Sequence, residues 1–160
     1  MIIGYGSIGK RHASILSKFP NIREIIILSK QKNLPYKTII KIEDAKKYSP
    51  DYFIISSSTS KHYDQLSYIE DNFNNKLILV EKPLFHKYFR KNIKNNKVFI
   101  GYNLRFHPII KLIKQSTNQR KLLNINVIYG SYLPNWRNNI DYRNSSSASK
   151  IDSGGVLLDL

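Results

Sequence analysis

Gly4, Gly6 and Gly9 stand near the start of the chain in the spacing G-x-G-x-x-G, with Ser7 and Ile8 between the last two. Set between a strand and a helix, this spacing binds a pyrophosphate. The first glycine permits a tight turn, the second lets the phosphates approach the backbone, and the third lets the helix pack close to the strand. The helix start then offers N–H groups and a partial positive charge to the anion. Both flanks are present: Met1-Ile2-Ile3 reads as the end of an apolar strand, and Ile8, His12, Ile15, Leu16 and Phe19 fall at helical spacing. A glycine-rich turn that binds nothing is the alternative.

A second candidate lies at Glu81-Lys82-Pro83, after the apolar run 76–80. A lysine at a strand's C-terminal end is placed to enter a ligand crevice, and the following proline holds its backbone extended. From position alone, a solvated strand-end lysine is the favoured reading. The run 24–28 ends in Ser29-Lys30, with Lys32 close by. An acid there would bind the 2′-hydroxyl of NAD, whereas a hydroxyl and two cations favour the 2′-phosphate of NADP. An ordinary solvated lysine turn is the other reading. The hydroxyl-rich stretch 56–60 follows a further apolar run and also fits the crevice of a parallel sheet. His62, just beyond it, is by itself the kind of histidine that serves structure.

The elements that must carry these residues alternate. Strands are predicted at 24–28, 38–42, 51–55, 76–80 and 97–100, and helices at 43–48, at 61–72 with Ser60 as N-cap, and at 85–94 with a basic face. That alternation predicts a parallel sheet with helices on both faces. Beyond Asn103 the character changes. Residues 105–115 are amphipathic, and 122–129 partly alternate like a half-exposed strand. The polar stretch 133–153 reads as a linker or, from its Trp and Arg content, as an ordered substrate loop.

The length of 160 residues suits one domain or one plus part of another. Without cysteine there is no disulfide or thiolate metal site, which fits a cytoplasmic protein, and the histidines at 12, 62, 86 and 107 have no metal-ligand spacing. No apolar run is long enough to span a membrane. The formal net charge of +15 points to a polyanion. Against a nucleic-acid partner stand the spread of the charge along the whole chain and the lack of any helix-turn-helix, zinc-finger or RNA-binding signature.

Several blocks occur in a specific order: Gly4 to Gly9, the serine turn with Ser60-Lys61-His62, Glu81-Lys82-Pro83, Gly101-Tyr102-Asn103 with Arg105-Phe106-His107-Pro108, Trp136-Arg137, and Gly154-Gly155-Val156-Leu157-Leu158-Asp159. Over its whole length the chain resembles the glucose–fructose oxidoreductase / inositol dehydrogenase (Gfo/Idh/MocA) family. The resemblance implies a Rossmann domain, a doubly wound parallel α/β sheet, over residues 1–103. Residues 104–160 would begin a second α/β domain for substrate, through which the chain would form a homo-oligomer. It also implies an oxidoreductase that moves hydride between NADP or NAD and a sugar hydroxyl or keto carbon. The implied cofactor-binding residues are Gly4, Gly6, Ser7, Ile8, Gly9, Ser29, Lys30, Ser57, Thr59, His62, Glu81 and Lys82. Lys82 and Asp159 would be catalytic and, with Arg105, Trp136 and Arg137, would contact substrate. Two departures stand out: the first strand is a few residues short, and the family's catalytic histidine would lie beyond Leu160. The expectation is therefore a truncated member, with a cofactor-binding remnant without turnover as one alternative and a basic nucleic-acid-binding protein as another.

Overall fold

The computed structural model describes residues 1–118, 121–128, 130, 132, 134, 141–144, 148–149 and 154. Six short strands form one sheet: β1 (Ile2–Ile3), β2 (Ile26–Leu28), β3 (Lys37–Ile39), β4 (Tyr52–Ile55), β5 (Leu77–Val80) and β6 (Lys97–Ile100). Their order is β3-β2-β1-β4-β5-β6, and every pairing is parallel. The chain therefore builds outward in one direction from β1 and in the other from β4. Ile and Leu dominate the inner strands, as expected of a largely buried parallel sheet. The α/β parallel-sheet expectation holds.

Alternate side chains point to opposite faces of the sheet. Ile3, Phe53, Ile55, Ile78 and Val80 join Leu66, Ile69 and Phe73 of the α2 region in the larger core cluster. Ile2, Ile27 and Ile54 join Tyr5 and Ala13 in a smaller one on the opposite face. Helix α2 (His62–Asn72) covers the first face and helix α1 (Ser7–Leu16) the second. The side of α1 that packs is not the one its large apolar residues suggest. Its buried residues are the small Gly9 and Ala13, while Ile8 and Ile15 are 38% and 45% exposed.

Three local expectations are corrected. Residues 85–94 form no helix. Phe, His, Tyr and Asn are poor helix formers, and non-local contacts fix the segment instead. Phe85 and Phe89 pack on Tyr63, with ring centroids 5.4 and 4.1 Å away. Glu70 Oε1 accepts from the backbone N–H of Lys94 and Asn95, both at 2.7 Å, and Oε2 accepts from the Asn96 side chain at 2.8 Å. The N-cap of α2 is Lys61 rather than Ser60, which lies inside a preceding 3-10 turn, Thr59–Lys61. Residues 122–128 carry no strand, because alternation supplies a face but no ladder partner. Helix α3 (Pro108–Thr117) forms, preceded by a 3-10 turn at Asn103–Phe106, and none of its residues is buried.

Candidate functional site

The strand register decides which sequence blocks meet. Ile3 pairs with Leu28 and with Ile55, Ile55 pairs with Val80, and Val80 pairs with Ile100. The residues that follow these strand ends, Gly4, Ser29, Ser56, Glu81 and Gly101, therefore stand along one rim. Backbone bonds continue the ladder into the rim: Gly4 N–H to Leu28 at 3.0 Å, Ser56 to Ile3 at 2.8 Å, Glu81 to Ile55 at 2.9 Å and Gly101 to Val80 at 2.8 Å. A cleft of about 1480 Å³ opens at this rim.

The three glycines have three different surroundings. Gly4 has φ +92°, a conformation that favours glycine, and a Cβ there would lie 2.7 Å from the Ser57 backbone. A Cβ on Gly9 would overlap the Gly4 carbonyl and touch Ser56 Oγ at 3.0 Å. Gly6 has no heavy atom within 4 Å of the position a Cβ would take, and it is the N-cap of α1 without a side-chain cap. The first turn of α1 thus presents its N–H groups on the open side.

Gly4, Gly6, Ser7, Ile8, Ser29, Lys30, Ser57, Thr59, Glu81, Lys82 and Arg105 all line the cleft. Gly9 stands behind the turn and packs it. His62 does not line the cleft. It is 1% exposed, with Nε2 3.1 Å from the Ser57 carbonyl and Nδ1 3.1 and 3.2 Å from the carbonyls of Pro83 and Leu84. Burial pushes its pKa down, against those carbonyls and Glu81, which favour the charged ring. Its place is structural: it joins the serine turn to the turn after Lys82. Trp136, Arg137 and Asp159 lie outside the described residues.

Several cleft residues carried no recognisable signal in sequence. Arg11, His12 and Ile15 continue the side of α1 that starts at Ser7 and Ile8, and they form one wall. Gln31 reaches back to donate to the Tyr5 carbonyl at 3.1 Å, closing the β2 side of the glycine turn. Ser29 Oγ accepts from the Gln31 backbone N–H at 3.1 Å. Gln65 accepts from Ser57 Oγ at 2.6 Å. The β5–β6 side has an apolar floor of Leu77, Leu79 and Phe99, with Tyr52 from β4.

His12 Nε2 donates to Glu81 Oε1 at 2.6 Å across the cleft. Among the described residues the lining holds five cations, Arg11, Lys30, Lys61, Lys82 and Arg105, against the single acid Glu81. Such a balance draws anions into a concave site. Among the described residues no cluster of three acidic or histidine side chains could hold a metal ion, and no helix is long and apolar enough to cross a membrane. Comparison with family models, curated proteins and solved structures finds no match.

Proposed function

We propose that this chain binds a nicotinamide dinucleotide through a Rossmann-type sheet and serves a Gfo/Idh/MocA-type oxidoreductase acting on a sugar. One observation carries the reading: the glycine turn, Ser29-Lys30, the serine turn and Glu81-Lys82 share one rim around one cation-lined cleft. The strand order 3-2-1-4-5-6 supports it, because dinucleotides bind in such sheets where the order reverses, here between β1 and β4. Open space at Gly6 supports it too, since a phosphate must come close to backbone there. The sugar substrate and the roles of Lys82, Arg105, Trp136, Arg137 and Asp159 rest on the family resemblance. So does a substrate domain over 104–160. In this reading Lys82 stands at the reacting hydroxyl beside the nicotinamide, and Ser29 and Lys30 receive the 2′-phosphate, which favours NADP over NAD.

Calorimetric titration of the full chain with NADP and NAD tests the cofactor. Gly6→Val should abolish binding while the circular dichroism spectrum stays the same. Unchanged affinity would overturn the site. Ser29→Asp should move preference toward NAD, and tighter binding of NAD by the unaltered chain would refute the reading of that turn. Hydride transfer is followed by NAD(P)H absorbance across a panel of sugars and nucleotide sugars; slow or no turnover is expected, and any turnover seen should be lost on Lys82→Ala.

A further inference from the structure

The hydrogen bond between His12 and Glu81 joins residues 69 positions apart. Both side chains are mostly shielded, 22% and 16% exposed, and both line the cleft. The other carboxylate oxygen of Glu81, Oε2, lies against Gly101, 3.0 Å from where a Cβ would stand, and 3.4 Å from the Lys82 backbone N–H. One carboxylate therefore connects α1, the end of β5 and the end of β6.

Strand order gives the cleft a direction. Ser29-Lys30 lies on the β2 side of the glycine turn, and Glu81-Lys82 lies on the opposite side, beyond β4. A dinucleotide with its pyrophosphate at Gly6 would send its adenosine half toward β2 and its nicotinamide half toward β5. We propose that His12 is a positioning residue for the nicotinamide half: its hydrogen bond to Glu81 holds the Glu81-Lys82 corner open to receive that half. The inference rests on the dinucleotide reading above.

The physical reason is competition for the carboxylate. Among the described residues Glu81 is the only acid beside the five cations of the cleft, and Lys82 is its neighbour in sequence. With His12 in place, Oε1 is engaged toward the α1 wall by a short hydrogen bond, a strong kind when the acceptor is ionised. Without that donor, the carboxylate turns to the cations around it, and Glu81 and Lys82 both leave the position that the nicotinamide half requires. The adenosine end, on the far side of the glycine turn, is unaffected.

Two ligand pairs of different length separate these ends: NADP with 2′,5′-ADP, and NAD with ADP, each titrated calorimetrically into the full chain. His12→Ala should weaken the dinucleotide by about tenfold, the equivalent of one good hydrogen bond. Its matched adenosine fragment should change by less than about twofold. His12→Gln keeps an N–H donor and should restore most of the dinucleotide affinity. Equal losses for dinucleotide and fragment would mean that His12 only supports the fold, and unchanged affinities would mean that it does nothing in the cleft. Selective loss without rescue by Gln would mean that the ring rather than the donor matters. Each of these three results overturns the proposal. An unaltered chain that binds none of the four ligands overturns the dinucleotide reading itself, and this inference with it.

Discussion

Helices α1 and α3 are each ten residues long and each carries an apolar stripe. The first is built into the molecule: Gly9 and Ala13 are buried, and Ala13 sits in a core cluster with Ile2, Ile27 and Ile54. The second buries nothing, and Ile109, Ile110, Leu112 and Ile113 are all exposed. The small residues explain the difference better than the large ones. Gly9 and Ala13, four apart on one side of α1, let its backbone approach the sheet, while the bulky Ile8 and Ile15 turn to the cleft wall. Helix α3 has no such small-residue side against a strand. An amphipathic pattern thus specifies that a helix has a face, and packing depends on what meets that face.

A large effect should come from Glu70, which fixes the irregular segment after Lys82 from inside the packed region. Glu70→Ala would leave the N–H groups of Lys94 and Asn95 and the Asn96 amide without their acceptor. Unsatisfied buried donors cost about 1–3 kcal/mol each, and partial access to water should keep the total near about 3 kcal/mol in urea denaturation. Burial raises the Glu70 carboxyl, but these donors and Lys91 outweigh it and leave its pKa lowered. A depressed native pKa contributes stability that is complete above the unfolded-state value. That contribution is lost as the pH falls through the lower native value. Glu70→Gln should flatten this acid limb of the stability curve. A limb that is equally steep in the variant would show that other carboxylates govern acid unfolding.

Next in size is Gly9→Ala, which probes the close approach of α1 directly. The added Cβ would overlap the Gly4 carbonyl, which is backbone and cannot step aside cheaply. Overpacking of this kind costs about 1–3 kcal/mol. It should also weaken nucleotide binding, because the displaced atom belongs to the phosphate turn. Gly6→Val, at an open position, should cost less than about 0.5 kcal/mol. A Gly9→Ala variant as stable as the unaltered chain would mean that α1 does not sit this close to β1.

Much of the packed region was legible in the sequence, since apolar runs bounded by turn residues have a local cause. The predicted strand 76–80 is observed at Leu77–Val80, 51–55 at Tyr52–Ile55, and 97–100 without change. The glycine turn was legible for the same reason, since Gly4 and Gly9 meet within six residues of each other. What escaped depends on distant partners. Residues 85–94 could not be read as irregular without Glu70 and Tyr63 beside them. The bond from His12 to Glu81 leaves no trace in either local sequence. Ile15 shares the helical spacing of Leu16 and Phe19, and periodicity cannot tell a cleft wall from a packed face.

The smallest stability effect, and the sharpest test of the comparison, belongs to α3. Replacing Ile110 and Ile113 by Ser removes large apolar side chains from positions 42% and 53% exposed. With no buried residue on this helix, each change should shift stability by no more than about 0.5 kcal/mol. On α2 the same class of change, Ile69→Ala at a fully buried site, should cost about 2–5 kcal/mol. A second readout should move in the opposite order. Ile109 and Leu112 extend the exposed apolar surface around Ile110 and Ile113, and large exposed apolar patches promote association. The Ile110→Ser/Ile113→Ser double variant should therefore self-associate less in sedimentation velocity, whereas Ile69→Ala should not. If the α3 variant instead loses several kcal/mol as a monomer, α3 is packed against its own sheet in solution. The contrast between the two helices would then be one of conformation rather than of sequence.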